Sequence, residues 1–402
     1  MNAISTPVRS TQFEETSLRP TIEARRQLTG REKGQKLAQV VQHAYESGNK
    51  LYTKDMFREI EVFLAKRSWT EATYITLPSM IGIDTRVAIP SLEDREYGEP
   101  QSEVETRVPF PVIYPYRKLM KLAQNAFEGE TDEELVDPSI PEIKTAAFTC
   151  PIRISTVFAM ISDVPHEQVE ETWNFTEESW EQSSFRIELL DMLNQVDRIP
   201  KASRVVCLGL GNLAKTLAED NLYETIGPPS TLPGYRNYVN HLVALTVAQV
   251  IGSRQANCLS PDTEPTHGQQ SSLKVVAEDF SYSPQDKEVL AKAGFQILNG
   301  YGTSSFRVVD DETIFVCCDP RRAVMEIIAD IARPAAMLWI QDLPEVEDGD
   351  IQAGYWEFIK RKFSFKKYED SPRTVQLLEE YTKYEIEVKA EVLRTDLYIR
   401  NT

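Results

Sequence analysis

The chain has 402 residues, a formal net charge of −18 and a pI near 4.9. That balance repels nucleic acid and anionic membrane surfaces at long range, so direct nucleic-acid binding is not expected. No apolar run reaches the ~18 residues of a membrane helix, and Met1-Asn-Ala-Ile-Ser has no apolar secretory core, which points to a cytoplasmic or nuclear protein.

Residues 1–30, rich in Ser, Thr and charge without apolar periodicity, read as a flexible arm. Arg31–Ser47 carries Leu37, Val40, Val41 and Ala44 at helical spacing, and Lys54–Ala65 carries Met56, Ile60, Phe63 and Leu64. The two predict a helical hairpin turning at Gly48-Asn49. Pro109, Pro111 and Pro115 make the following stretch irregular, and the acidic run Glu128–Glu134 reads as a solvated loop. Residues 31–178 are thus expected to be a helical and proline-rich region packed on a core spanning 179–345. Ser179–Leu193 opens that core as a helix, with Trp180, Phe185, Leu189 and Leu193 on or near its packing side.

Arg204-Val-Val-Cys-Leu-Gly-Leu-Gly-Asn212 is a short apolar run that drops into a glycine-rich turn. A buried parallel strand presents bare backbone N–H groups to a ligand in this way. Gly209-Leu-Gly211-Asn-Leu-Ala214 fits G-x-G-x-x-A, but residues 227–234 lack the acid that a dinucleotide site places about 20 positions on. A tight turn that allows close helix packing is the alternative. Residues 235–251 then form an amphipathic helix, and Lys274–Asp279 is a second strand ending in two carboxylates. Ser283-Pro284 with Asp286 caps the next helix, Gly294 stops it, and Phe295–Leu298 is a third strand. No helix is evident from Leu298 to Thr313, which predicts an irregular crossover or one antiparallel strand. Thr313–Cys318, a helix over Arg321–Ala332 opened by Asp319-Pro320, and the strand Ala336–Ile340 complete a β-α-β-α-β-β-α-β order.

The expected fold class is α/β: a Rossmann-like, mostly parallel sheet flanked by helices, with a helical and irregular N-terminal extension and a C-terminal extension over 346–402. In that extension Ser371-Pro372 caps a helix running to about Tyr384. The basic-aromatic Lys360–Lys367 reads as a strand with one wet face, against a nucleic-acid track.

Open α/β sheets bind ligands beyond the carboxyl ends of their strands, where the order reverses. The groups expected there are Gly209, Gly211 and Asn212, then Glu278 and Asp279, then Cys318 and Asp319, and finally Asp342. Either carboxylate of Glu278-Asp279 suits a ribose hydroxyl pair, while the glycine turn suits a phosphate or an amino-acid carboxylate. S-adenosylmethionine, NAD(P) or another nucleotide would use both halves. Tyr235 and Arg236 open the following helix and are candidates for contacting an anion.

His241 lies on a helix stripe with Asn237, Ala244 and Ala248, roughly opposite the apolar face. Covered by the N-terminal region, it is the candidate acid or base. Otherwise it is a hydrogen-bonded histidine at a boundary. The five cysteines, 150, 207, 258, 317 and 318, have no C-x-x-C spacing, so neither a disulfide framework nor a metal site is expected. Cys150-Pro151 is the dipeptide of haem-regulatory motifs and adds haem as a further candidate.

Six segments in order, Val206–Gly211, Tyr238–Leu245, Glu278-Asp279, Asp286–Phe295, Val309–Phe315 and Ile328–Met337, make the stretch from Trp180 to about Asp342 similar to the sensitivity-to-red-light-reduced-like family. A fainter likeness to fungal members extends to Ala44–Lys50. The resemblance implies a Rossmann-like core and a regulatory role in the cytoplasm or nucleus, in light and clock signalling or haem metabolism, and supplies no reaction. Two functions from different classes follow. One is a regulatory module binding an adenosine-type ligand or a protein partner, and the other is a transferase using an adenosine cofactor.

Overall fold

The computed structural model describes residues 29–66, 73–89, 106–127, 149–159, 164–196, 198–214, 217, 236–259, 273–318, 322–342, 371–388 and 393–401. The arm up to residue 28, the acidic run 128–134 and the basic segment 360–367 lie outside these residues.

The first described elements are the expected helical pair, α1 (Gly30–Glu46) and α2 (Lys54–Leu64). Thr29 and Glu32 form a reciprocal capping box at the start of α1, and the Thr53 side chain accepts from Met56 N at the start of α2. Two antiparallel ribbons follow, β1 (Thr73–Pro78) with β2 (Asp84–Ile89), and β3 (Thr106–Ile113) with β4 (Ile152–Ala159). Pro109 and Pro111 fall within β3, which among the described residues pairs with β4 alone; proline is tolerated on such an edge. Helix α3 (Tyr116–Gln124) lies between the paired strands.

The expected single helix over 179–193 is two helices, α4 (His166–Glu181) and α5 (Ser184–Gln195), separated where Ser183 caps the second by accepting from Arg186 N. Trp180, Phe185, Leu189 and Leu193 are all buried across that break. The main sheet then begins with β5 (Arg204–Leu208), followed by α6 (Arg236–Leu259), β6 (Lys274–Glu278), α7 (Pro284–Lys292) and β7 (Phe295–Ile297). The crossover to β8 (Thr313–Cys318) passes through the short helix α8 (Ser304–Val308), and β8 is parallel to β5. It is therefore a helical crossover, and no antiparallel strand occurs there. The helix α9 (Arg322–Ile331) leads to β9 (Ala336–Asp342).

Beyond residue 345 the helix expected to reach Tyr384 stops at Glu379 as α10 (Pro372–Glu379), and the chain continues into strands β10 (Tyr381–Val388) and β11 (Leu393–Arg400). These β-branched and aromatic stretches join the main sheet. Its order is β10-β11-β9-β8-β5-β6-β7. Counted from β5 as the first strand, this is 3-2-1-4-5-7-6 read from the β7 edge, with the seventh strand antiparallel to both neighbours. The fold is a Rossmann-like α/β sheet, mostly parallel and flanked by helices.

Strand alternation sorts the core into two layers. Val205, Cys207, Val275, Ala277, Ile314, Val316, Leu338 and Ile340 face α4, α5, α6 and α7. Val206, Val276, Phe315, Cys317, Met337 and Trp339 face α8, α9, α10 and the N-terminal unit, whose Leu37, Val41, Phe57, Ile60 and Leu64 share that core.

A buried ion pair ties this second layer together. Asp330 of α9 accepts from Leu51 N (2.7 Å) and Tyr52 N (3.1 Å) in the α1–α2 turn, and from Arg373 Nη1 of α10 at 2.7 Å. Arg373 Nη2 donates to the carbonyls of Tyr45 (2.5 Å) and Asn49 (2.6 Å), and its guanidinium lies 4.0 Å from the centre of the Tyr45 ring. Nearby, Glu326 accepts from Tyr116 N at 2.7 Å and serves the start of α3, where Pro115 offers no side-chain cap.

Candidate functional site

The strand order reverses at β5, so the crevice expected of an open α/β sheet lies above its carboxyl end. Gly209 occupies that point with φ +69, exposed, its missing Cβ 3.2 Å from the Cys318 carbonyl. Gly211 has φ +93 and a different surrounding: a Cβ there would stand 2.2 Å from Asn237 Oδ1 of α6. Its bareness lets the helix approach the turn. Asn237 Nδ2 donates to the Asn212 carbonyl at 2.8 Å, and Asn212 Nδ2 donates to the Ser281 carbonyl, so both amides are committed to holding the turn.

The carboxylates beside the turn divide sharply. Asp279, partly exposed, accepts from Gly211 N at 3.2 Å through Oδ2, and from Ser281 N (2.9 Å) and Oγ (2.6 Å) through Oδ1. Asp286 is fully buried; besides its capping box with Ser283 it accepts from Ala214 N at 2.8 Å, where the helix after the turn begins. Burial pushes the Asp286 carboxyl up, opposed by the hydrogen bonds from Ser283 and Ala214, while Asp279 adds to the rise. Two amides of the turn are therefore already paired with carboxylates of the chain itself.

Glu278 does not face the crevice. It is 1% exposed and accepts from the backbone N–H of Gly302 (3.2 Å), Ser304 (3.0 Å) and Ser305 (2.6 Å). Burial raises its pKa against those hydrogen bonds. Of the two acids only Asp279 stands beside the glycine turn; Glu278, expected there with it, is turned into the core.

His241 is also displaced from its expected role. Rather than lining a cleft, it is fully buried under Trp173 of α4, with Phe295 and Tyr282 against its ring. The stripe expected to face away from the sheet is thus covered, by Trp173 of α4 and by Phe295 of β7. Nδ1 lies 2.6 Å from the Asn237 carbonyl and Nε2 lies 2.8 Å from Tyr282 Oη. A carbonyl only accepts, so Nδ1 carries the proton and Nε2 accepts from the tyrosine. Burial pulls the imidazole down to about 4, the Asn237 hydrogen bond resisting.

Cys150 is 2% exposed, donates to the Ile152 carbonyl at 3.2 Å and has its thiol pKa raised by burial, so it offers haem no accessible thiolate. Cys150, Cys207, Cys317 and Cys318 are buried, and the described residues contain no cluster able to hold a metal. Arg236 opens α6 and is partly buried; Tyr235 and Asp319 lie outside the described residues.

No protein-family model and no curated protein matches the chain. Solved structures do align with it. The pyocyanin biosynthetic protein PhzM does so at 11% identity and TM-score 0.27, over 53% of this chain and 54% of its own. The mitomycin 7-O-methyltransferase MmcR aligns at 13% identity and TM-score 0.27, over 71% and 67%. LepI in complex with SAM aligns at 10% identity and TM-score 0.24, over 70% and 67%. The chain thus spans little more than half the length of PhzM.

The structure therefore brings together Gly209, Gly211, Asn212 and Asp279 and removes Glu278 and His241. Sequence reasoning missed Asn237 and Ser281, and it read Asp286 only as a cap. Capping-box spacing announces the bond to Ser283, but nothing local announces the second one to Ala214, 72 residues earlier.

Among the described residues no helix is long and apolar enough to cross a membrane.

Proposed function

We propose that the crevice above β5 binds a positively charged adenosine compound of the S-adenosylmethionine class, and that the chain is a transferase using it. The observation that carries this reading is the pairing of the turn's amides at Gly211 and Ala214 with Asp279 and Asp286. A dinucleotide or nucleoside triphosphate needs such amides for its phosphates. Here a phosphate at the turn would meet the Asp279 carboxylate, costing about 4 kcal/mol at ~4 Å and an effective dielectric of about 20, and would find the Ala214 amide already taken by the buried Asp286. A sulfonium with an ammonium group is attracted by the same charges, and its ribose hydroxyls donate to Asp279. Phe280, next in sequence and 44% exposed, offers an apolar face for a base. The antiparallel strand between the fifth and sixth also departs from the 3-2-1-4-5-6 order of dinucleotide-binding sheets.

The regulatory reading implied by the resemblance to the sensitivity-to-red-light-reduced-like family uses the same crevice without turnover. In its favour, the one histidine weighed as an acid or base is sealed in the core.

Thermal-shift and calorimetric titration separate the candidates. S-adenosylmethionine is expected to stabilise the chain by about 2.7 kcal/mol at a hundredfold excess over Kd, and NADP and ATP to give no shift. Asp279→Asn is expected to weaken binding roughly tenfold, about the loss of one charge-assisted hydrogen bond. Stabilisation by NADP with none by S-adenosylmethionine would reverse the assignment.

A further inference from the structure

Glu61 is a charged residue on the apolar stripe of α2. It follows Phe57 by one turn, lies between Ile60 and Leu64, and is 6% exposed. Its carboxylate reaches the loop after β7: Oε1 accepts from Tyr301 N (3.0 Å), Thr303 N (3.0 Å) and Thr303 Oγ1 (2.7 Å), and Oε2 from Tyr301 N at 2.9 Å. Glu278 takes the remaining amides, so five consecutive N–H groups from Tyr301 to Ser305 are divided between two buried carboxylates.

The same loop is gripped twice more by the N-terminal unit. Phe57 packs on Phe306 with ring centres 5.1 Å apart. Gly302 has φ +95, and a Cβ there would meet the Phe110 ring of β3 at 2.8 Å. Phe110 also packs on Phe280 at 4.6 Å, beside Asp279. Because Glu278 immediately precedes Asp279, the loop that fixes the first carboxylate sets the backbone from which the second reaches Gly211.

We infer that Glu61 is a positioning residue for the Asp279 site, making ligand binding depend on a helix outside the sheet. This rests on the ligand reading above. Linkage supplies a reciprocal consequence: if an ordered 301–305 loop favours the ligand, the ligand must further order that loop.

The test uses the full chain with S-adenosylmethionine as probe, calorimetry for affinity and hydrogen exchange for the 301–305 amides. Glu61→Gln turns one acceptor oxygen into a donor facing N–H groups, and Thr303→Val removes only the hydroxyl contact. Affinity is expected to fall roughly tenfold in the first and about threefold in the second, the range of couplings carried by residues that do not touch the ligand. In the wild type, saturating ligand is expected to slow exchange at 301–305, which a purely structural role would leave unchanged. Should Glu61→Gln not fold, Thr303→Val carries the comparison. Wild-type binding with unaltered affinity in the folded variants, or with exchange at 301–305 indifferent to ligand, overturns this inference alone. Failure of the wild type to bind removes the ligand reading and this one with it.

Discussion

Asp330→Ala is expected to lower folding stability by about 3–5 kcal/mol, the cost of removing one partner from a buried ion pair. The substitution leaves Arg373, at 16% side-chain exposure, without its carboxylate, and strands the N–H groups of Leu51 and Tyr52. The pair need not be favourable in itself for this to hold. Burial raises the Asp330 pKa despite the adjacent guanidinium, so desolvation outweighs attraction. What alanine loses is the compensation for groups that remain buried. Asp330→Asn keeps an acceptor for the amides and should lose roughly half as much. Urea melts of both variants give the measurement, and a loss below about 1 kcal/mol in the alanine variant would show that the layer tolerates an uncompensated arginine.

Acid is expected to weaken the fold through His241. The folded imidazole is held near 4 against an ordinary value of 6.5. Between those values the unfolded chain takes up a proton that the native one refuses, so stability falls as pH drops from 6.5 towards 4, with no further loss from this group below. The full effect is about 3 kcal/mol, at 1.36 kcal/mol for each unit of displacement. Other groups titrate in the same window, so the informative quantity is a difference. The wild type should lose about 3 kcal/mol more between pH 7 and pH 4 than His241→Gln, which has no proton to gain. Equal losses in the two proteins would mean that the histidine finds solvent in the native state.

Much of the parallel core was legible because its signals are local. Short continuous apolar runs marked β5, β6, β8 and β9, and the Ser283-Pro284-Asp286 cap with Gly294 marked the limits of α7. The Leu298–Thr313 crossover was missed because α8 is five residues long and is stabilised at its start by carboxylates from distant elements. Strands β10 and β11 were passed over for a related reason, since a charged, partly exposed sequence such as Tyr381–Val388 is a strand only by virtue of its partner.

The site was half legible. The glycine turn and the strand end Glu278-Asp279, expected side by side, do meet, with the Gly211 N–H on Asp279. Period-two alternation also required the two acids to face opposite ways, but not which way the ligand lies. The Glu278 side is filled by Glu61 of the N-terminal unit and by the 301–305 loop, and the Asp279 side stays partly exposed. His241 was misplaced because helical periodicity shows one apolar face, and the Trp173 that covers the other comes from a separate helix. Glu61 itself was detectable as a charge between Ile60 and Leu64 on a buried stripe.

The position of β11 bears on how the molecule matures. This strand, residues 393–400, sits inside the sheet between β9 and β10, although both of them, like every other described element, precede it in the sequence. Until it arrives, the ladder of Ala336–Asp342 lacks its outer partner, an apolar template for association with other nascent chains. Polypeptides that stall before residue 393 would carry that adhesive border, and helper proteins that shield bare strands should matter most until β11 fills it.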